Sequence, residues 1–212
     1  MALERHGGTL DALCARARRL CVSGERRILG IAGAPGAGKS TVAAAIVRSL
    51  APDAVLVPMD GFHLANSQLE RLGMRGRKGA IDTFDAAGFV ALLRRLKAPD
   101  GDTVYAPEFH REIEEAIAGA IAVAPEVPLV VTEGNYLLSD EMPWSRLRSL
   151  IDETWFLDPG EEVRLQRLIA RHVAFGKSPE AARAWALGSD QRNAEMIAAT
   201  RASADLLICD LE

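Results

Sequence analysis

Residues 33–40 read Gly33-Ala34-Pro35-Gly36-Ala37-Gly38-Lys39-Ser40, and this stretch decides the fold. It fits the pattern G-x-x-x-x-G-K-[S/T], whose glycines allow backbone N–H groups to turn inward around phosphate groups. The apolar run Arg27–Ala32 before it predicts a buried strand, and the run Thr41–Leu50 after it predicts a helix. That helix would point the positive end of its dipole at the phosphates. The sequence therefore predicts a strand, a phosphate-binding loop and a helix, in that order.

The loop also predicts a nucleotide and a metal ion. In loops of this pattern the lysine neutralises the β- and γ-phosphates, and the hydroxyl of the next residue binds Mg²⁺. Lys39 and Ser40 occupy these two positions. ATP and Mg²⁺ are therefore the expected cofactors. The expected nucleotide-binding residues are Gly33, Ala34, Pro35, Gly36, Ala37, Gly38, Lys39, Ser40 and Thr41.

Outside the loop, apolar periodicity predicts helices and strands that alternate along the chain. Helical spacing occurs from Leu10 to Leu20 and from Phe84 to Lys97, whereas residues 66–82 are polar, basic and rich in glycine and predict a long loop. Such alternation predicts an α/β fold of three layers, with helices on both faces of a mainly parallel sheet, in a single domain spanning 1–212. Further strands are predicted at Val55–Met59, Pro128–Glu133, Thr154–Asp158 and Leu206–Leu211.

The segment that follows the strand at 154–158 predicts a lid at about residues 160–190. Asp158-Pro159-Gly160-Glu161 offers an N-cap residue, a proline at the first helical position and a glutamate three residues on, which predicts a helix that runs to about Phe175. Ser178-Pro179 predicts a further helical stretch towards Thr200.

Three arginines recur along the first lid helix at spacings of three and four residues. These are Arg164, Arg167 and Arg171. A stripe of this kind is common on a solvated helix face. It also suits a lid that places an arginine over the γ-phosphate, and the spacing leaves both interpretations open.

Composition limits the classes of partner. The formal net charge of −4 and the pI of about 5.7 provide no positive field for a nucleic acid backbone. The longest apolar runs fall short of the roughly 20 residues that cross a bilayer, and residues 1–6 do not resemble a secretory signal. The three cysteines have no zinc-binding spacing. We therefore expect a cytoplasmic protein that binds neither nucleic acid nor membrane.

Two carboxylates at predicted strand ends favour phosphoryl transfer. Asp60 ends the second strand and Glu133 ends a later one, and the carboxyl ends of strands in such sheets border the ligand crevice. Transfer to an alcohol requires a carboxylate that accepts the hydroxyl proton, and Asp60 is the predicted base. Glu133 would either bind Mg²⁺ or hold a substrate hydroxyl. Each carboxylate also fits an ordinary turn or cap residue.

The chief alternative from another class is a nucleotide-dependent switch or chaperone with slow hydrolysis and a protein partner. Such a protein would normally use GTP. The chain contains no Asn-Lys-x-Asp or Thr-Lys-x-Asp sequence for reading guanine, and no Leu-Ser-Gly-Gly-Gln of transporter ATPases. These absences favour a kinase with a small-molecule acceptor.

Several motifs together carry a resemblance to a known family. They are Gly33 to Thr41, Met59-Asp60-Gly61-Phe62-His63, Arg77-Lys78-Gly79 with Thr83-Phe84-Asp85, Glu133-Gly134-Asn135-Tyr136, and Arg167 through His172. The chain resembles the P-loop kinases that include phosphoribulokinase, uridine kinase and bacterial pantothenate kinase. Within that family it is similar to a branch described as proposed fructose transport system kinases or nucleoside kinase-like proteins.

The resemblance implies the P-loop NTPase fold and assigns roles to residues at matching positions. The catalytic carboxylate falls on Asp60, the loop lysine on Lys39, and the lid arginine on Arg171, with Arg167 as the second choice. Phosphoribulokinase and uridine kinase have Asp-Ser-Phe where this chain has Asp60-Gly61-Phe62, which is nearer the pantothenate kinase form. Many such kinases are dimers, so a homodimer is a candidate assembly.

The segment Tyr105–Arg111 lies where members of the family contact the acceptor. Tyr105, Phe109 and Arg111 are the substrate-side residues that the resemblance suggests, and His63 joins them because it follows Asp60 by three residues. An isolated histidine is more often structural than catalytic. Fructose or a related sugar is the first acceptor expected. A nucleoside, nicotinamide riboside or pantothenate is the alternative.

Overall fold

The computed structural model describes residues 4–22, 24–98 and 101–211. Its centre is a six-stranded sheet in which every neighbouring pair of strands is parallel. The strands are β1 Glu4–Gly8, β2 Arg27–Gly33, β3 Ala54–Leu56, β6 Leu129–Gly134, β7 Glu153–Leu157 and β8 Leu206–Leu211. Their order is β1-β8-β7-β2-β6-β3. The predicted mainly parallel α/β sheet is confirmed.

A separate antiparallel hairpin formed by β4 and β5 accompanies the main sheet. It comprises Val104–His110 and Glu115–Val123. Sequence reasoning did not identify it, because the exposed part of β5 consists of alanine, glycine and isoleucine and has no alternation of polar and apolar residues. The hairpin extends the wall of the crevice beyond the strand ends of the main sheet.

Seven helices lie in the described part of the chain. They are α1 Leu10–Arg18, α2 Lys39–Leu50, α3 Asn66–Arg71, α4 Ala86–Lys97, α5 Glu161–Ala174, α6 Pro179–Leu187 and α7 Ser189–Ala199. None of the helices described is long and apolar enough to span a membrane.

Two buried cores cover the two faces of the sheet. Along β2 the side chains alternate, so that Ile28 belongs to one core and Leu29 and Ile31 belong to the other. Helix α4 and the aromatic residues around Trp144 pack on the first face, while α1 and α2 pack on the second. The three-layer arrangement predicted from the alternation of strands and helices is therefore confirmed, and β2 lies at its centre.

The predicted start of the first lid helix is wrong. Helix α5 begins at Glu161, and its N-cap is Gly160 with φ 82°, not Asp158. The N–H of Asp158 donates to the carbonyl of Ile208, so this residue still continues β7 as extended chain. Its carboxylate contacts Arg201 and does not cap the helix. Pairing with a neighbouring strand, which local sequence does not reveal, decides where the helix begins.

Other boundaries also differ from the predicted ones. The strand predicted at Val55–Met59 is β3, which spans only Ala54–Leu56, because the chain forms a 3₁₀ helix at Met59–Phe62. The predicted long loop contains the short helix α3. The predicted single stretch towards Thr200 is divided into α6 and α7 at Gly188. The predicted cap at Ser178 is confirmed, because its hydroxyl accepts from the N–H of Ala181.

Candidate active site

The phosphate loop connects β2 to α2 and needs glycine at two positions for steric reasons. Gly36 has φ 87°, and a Cβ atom there would lie 2.5 Å from the carbonyl oxygen of Arg164. Gly38 has φ 97° and forms the N-cap of α2. Both φ values belong to the left-handed region that favours glycine. The loop therefore has tight backbone turns and brings the start of α2 against the first lid helix.

Lys39 lies at the first position of α2, and its ammonium group is fixed inside the crevice. Nζ donates to the carbonyl of Ala34 at 3.2 Å and to Oδ1 of Asn135 at 2.8 Å. The residue is 8% exposed. Burial lowers the pKa of Lys39, and the charges of Glu133 and Asp60 oppose this shift. Sequence reasoning assigned no role to Asn135, although its place two residues after Glu133 at the end of β6 was visible.

Ser40 and Glu133 form the next pair of the site. The Ser40 hydroxyl donates to Oε1 of Glu133 at 2.8 Å, and Glu133 is 7% exposed. Burial raises the pKa of Glu133, and the negative charge of Asp60 raises it further. A hydroxyl and a carboxylate oxygen are hard ligands of the kind that Mg²⁺ binds together with substrate phosphates. This pair therefore fits a magnesium ion held at the phosphate loop.

Asp60 lies in the 3₁₀ helix that follows β3. Strand β3 pairs with β6, the strand that carries Glu133. Nη2 of Arg111, which follows β4, approaches its Oδ2 at 3.4 Å. The neighbouring Gly61 permits this approach, since a Cβ atom there would lie 2.3 Å from the carbonyl oxygen of Pro107. The Asp-Gly-Phe sequence thus has a steric reason, which is that serine at Gly61 would push the hairpin away from Asp60.

His63 is packed between two aromatic rings. Its ring centroid lies 4.1 Å from that of Phe84 and 4.7 Å from that of Phe109. Nδ1 lies 2.8 Å from the carbonyl oxygen of Asp60. Burial lowers the pKa of His63, which favours the neutral ring. These contacts hold Phe109 and the backbone of Asp60 in place.

The three lid arginines do not form one solvated face. Arg164 is 4% exposed, and its guanidinium donates to the carbonyl of Pro35 at 3.2 Å as well as to Glu161 and Gln191. It joins the lid to the phosphate loop, a role that sequence reasoning missed. Arg171 is half-buried and faces Lys39, Asp60 and Arg111, and burial together with the charge of Arg111 lowers its pKa. Arg167 is exposed and lies over Gly38.

One cavity of about 410 Å³ brings most of the predicted residues together. It lies between the phosphate loop, the 3₁₀ helix at 59–62, the hairpin and the lid. Of the predicted site residues, it is lined by Pro35, Lys39, Ser40, Asp60, His63, Phe109, Arg111, Glu133 and Arg171. Arg75 and Lys78, which belong to the polar, basic loop predicted at 66–82, also line the cavity. Sequence reasoning did not identify the lining residues Glu114, Asn135, His172, Phe175, Lys177, Trp185, Asp190 and Asn193 as site residues.

Two of the residues predicted as catalytic or substrate-binding lie outside this cavity. Tyr105 is 60% exposed on β4, where the fully buried Val104 and Ala106 point the other way. Strand alternation therefore directs Tyr105 away from the site. Arg167 lines a second cavity of about 280 Å³, together with Gly38 and other residues of the phosphate loop. The remaining lining residues of the second cavity are Ala37, Thr41, Val42, Leu157, Pro159, Ile208, Cys209 and Leu211.

A phosphate loop at the centre of a parallel sheet, facing two carboxylates and the arginines of α5, is the arrangement of a P-loop kinase. The chain belongs to the phosphoribulokinase/uridine kinase family, whose model matches residues 28–211. The family predicted from the motifs is thereby confirmed. Kinases of this family transfer a phosphoryl group from ATP to a hydroxyl group, so the chain is a phosphotransferase of that class.

Three relatives are similar to the chain over most of its length. The chain is 40% identical to a proposed fructose transport system kinase from Silicibacter sp. TM1040 of known crystal structure, with a TM-score of 0.85 over 95% of this chain and 99% of that one. It is 35% identical to a proposed uridine kinase of Schizosaccharomyces pombe over 175 residues, and this aligned segment covers 78% of this chain and 74% of the relative. It is 32% identical over 188 residues to the uncharacterised protein YggC of Escherichia coli, and the alignment covers 86% of this chain and 77% of YggC.

Proposed function

We propose that this kinase transfers the γ-phosphoryl group of ATP to a hydroxyl of fructose or a related sugar, with Asp60 as the base. The observation that carries the proposal is that Asp60 and Lys39 line the same cavity, between the phosphate loop and the hairpin. A carboxylate is required where the acceptor hydroxyl lies, and a fixed cation is required where the γ-phosphate lies. The two residues meet these requirements from different elements of the fold.

The donor half of the site would hold ATP in one orientation. Backbone N–H groups at 33–41 and the N-terminus of α2 bind the phosphates, and Lys39 neutralises their charge. The adenosine part would occupy the second cavity, next to Thr41 and Arg167. Arg171 approaches the γ-phosphate from the lid and stabilises the negative charge of its transferring oxygens. Ser40 and Glu133 would hold Mg²⁺, which would neutralise part of the negative charge of the phosphates.

The transfer step follows from the position of Asp60. Its carboxylate accepts the proton of the acceptor hydroxyl while the hydroxyl oxygen forms a bond to the γ-phosphorus. The bond from that phosphorus to the bridging oxygen of the β-phosphate breaks, and ADP leaves with the electron pair. The contact of 3.4 Å between Arg111 and Asp60 is long for a hydrogen bond, so an acceptor hydroxyl can replace it at Oδ2.

The acceptor is proposed from the relatives and from the shape of the site. The name of the Silicibacter protein supports fructose. The name of the Schizosaccharomyces pombe protein supports a nucleoside, and the aromatic side chains of Phe175 and Trp185 in the cavity wall offer surfaces on which a base could stack. Nicotinamide riboside and pantothenate remain as further candidates within the same reaction class.

The proposal also includes closure of a lid, a cytoplasmic location and a homodimeric assembly. Helices α5 and α6 would close the cavity once ATP is bound, because they carry Arg171 and Trp185, and Phe175 follows α5 directly. A homodimer in the cytoplasm is the expected setting. No partner protein is needed for the proposed reaction, which distinguishes the kinase from a nucleotide-dependent switch.

The test is an acceptor screen with purified protein and magnesium–ATP. Pools of sugars, nucleosides and vitamins are supplied separately, ADP release is followed, and the phosphorylated product is identified by mass spectrometry. We expect a product from the sugar pool that requires Asp60. A product from the nucleoside pool alone would favour the second candidate. Tight ATP binding without any product would contradict the kinase proposal and favour a switch with a protein partner.

A further inference from the structure

The charges of the main cavity indicate which class of acceptor it suits. Six of its lining residues are cationic, and four carry carboxylates. A magnesium–ATP complex brings a charge of about −2, which offsets that surplus when the histidines are neutral. An acceptor with its own phosphate or carboxylate would leave the closed cavity with uncompensated negative charge. The cationic residues are Lys39, Arg75, Lys78, Arg111, Arg171 and Lys177, and the acidic residues are Asp60, Glu114, Glu133 and Asp190.

The cations are divided between two ends of the cavity. Lys39 and Arg171 face Glu133 and Asp60, where the phosphates of ATP would lie. Lys78 lies at the other end, beyond the ring of Phe109, with Nζ 5.1 Å from the ring centroid. The reacting hydroxyl at Asp60 and the remote part of the acceptor at Lys78 therefore contact different elements of the wall.

Lys78 is held in a fixed position by neutral oxygens. Its Nζ donates to Oδ1 of Asn66 at 2.7 Å and to the carbonyl oxygen of Glu114. An ammonium group has three N–H donors, so these two partners leave one for a ligand. The described contacts of the Nζ atom include no carboxylate oxygen within ion-pair distance, and the charges of Glu115 and Glu114 act on it from further away. The third N–H of the ammonium group can therefore orient a polar group of a ligand.

Glu114 provides the complementary acceptor beside this donor. It has φ 53°, the only positive φ of a non-glycine residue in the described ranges. Asn66 Nδ2 and Lys78 both donate to its carbonyl oxygen and keep the hairpin turn in this conformation. Glu114 lines the cavity, and the charge of its carboxylate acts on Lys78, where it opposes the lowering of the Lys78 pKa by burial. Strained backbone that neighbouring contacts maintain is characteristic of ligand-binding positions.

We propose that the acceptor is a neutral polyhydroxylated molecule whose remote hydroxyls are bound by the Lys78 ammonium and the Glu114 carboxylate. This inference rests on the proposed phosphoryl transfer and specifies its substrate class. A vicinal diol can accept a hydrogen bond from Lys78 and donate one to Glu114 at the same time. A phosphate or carboxylate at that position would be attracted by Lys78 and repelled by Glu114. The Glu114 carboxylate therefore disfavours a sugar phosphate, whereas it accepts a hydrogen bond from a free sugar.

The experiment compares acceptors that differ only in an anionic group. Fructose is paired with fructose 6-phosphate, glycerol with glycerate, and pantothenol with pantothenate. Binding is measured by calorimetry on protein loaded with Mg²⁺ and a non-hydrolysable ATP analogue, and turnover is measured separately with ATP. We expect the neutral member of at least one pair to bind about 10-fold or more tightly than its anionic partner. Failure of turnover alone would contradict the phosphoryl transfer, whereas the binding ratios report on the acceptor class.

Two variants test the assigned residues. Glu114→Gln and Lys78→Gln keep a hydrogen-bonding side chain but remove the charge. Each should weaken binding of the neutral acceptor about 10-fold, and Glu114→Gln should also raise the relative affinity for the anionic partner. Glu112→Gln and Arg77→Gln are the matched controls, since both residues are exposed neighbours outside the cavity lining. Tighter binding of the anionic members, no binding of any pair, or unchanged ratios in Glu114→Gln would overturn the inference.

Discussion

Oγ of Ser40 donates a hydrogen bond of 2.8 Å to Oε1 of Glu133, so the first turn of α2 is tied to the end of β6. The two residues are 93 positions apart in the chain. The bond places a buried carboxylate beside the Lys39 ammonium, and it fixes the oxygen atoms that would meet Mg²⁺. The electrostatics of the ligand-free site therefore depend on this carboxylate.

We expect Glu133→Gln to change how stability depends on pH. Burial raises the pKa of Glu133 above its ordinary value of 4.5, so the folded protein holds that proton more tightly than the unfolded chain does. Ionisation of Glu133 therefore costs folded-state stability. As pH rises from about 4.5 through the raised pKa, ligand-free wild type should lose free energy of unfolding relative to the variant. Urea denaturation at a series of pH values measures this difference, with exposed Glu112→Gln as control. A difference that does not depend on pH would contradict the burial argument.

Asp60→Asn should abolish turnover while leaving nucleotide binding intact. Asparagine keeps the size of the side chain but cannot accept the hydroxyl proton, and loss of a general base costs about 10²- to 10⁴-fold in rate. ATP affinity by fluorescence titration should stay within about twofold, since the phosphate loop is unchanged. Asp53→Asn is the matched control, because Asp53 is exposed and precedes β3 at the end remote from the site. Full activity of Asp60→Asn would show that another group accepts the proton.

Gly61→Ala should impair the acceptor side more than the nucleotide side. The added Cβ atom would lie 2.3 Å from the carbonyl oxygen of Pro107, so the hairpin that carries Phe109 and Arg111 must shift outward. Overpacking of this kind costs about 1–3 kcal/mol of stability. We expect a higher KM for the acceptor with little change in the KM for ATP. Gly7→Ala, which meets nothing within 4 Å, is the control, and an unchanged acceptor KM in Gly61→Ala would refute the close approach.

Arg171→Met and Arg167→Met should separate the two lid arginines. Arg171 lines the cavity of Asp60 and Lys39, so its loss should lower kcat, by about 10²-fold or more if it stabilises transition-state charge. Arg167 lines the second cavity, so its loss should mainly raise the KM for ATP. Steady-state kinetics on both variants measure the split, with exposed Arg183→Met as control. The reverse pattern would exchange the two roles.

Local patterns predicted the elements that depend on neighbouring residues in the chain. The glycine pattern at 33–40 and the apolar run at Arg27–Ala32 are continuous in sequence, so the strand, the loop and the following helix could be identified directly. The hairpin at 104–123 could not, because alanine and glycine in β5 give no periodic signal. The start of α5 was misplaced because Asp158 pairs with β8, about fifty residues further along the chain.

By itself, the sequence determined the phosphate loop with Lys39 in it, the parallel α/β class and the kinase family, and it predicted that Asp60 follows the second strand. Only the tertiary structure decided how the remaining residues meet. It separated Arg171 from Arg167, directed Tyr105 away from the cavity, and brought Lys78 and Glu114 to one end of it. The physical reason is that element type follows from periodicity over a few residues, whereas the direction of a side chain depends on packing between segments that are distant in the chain.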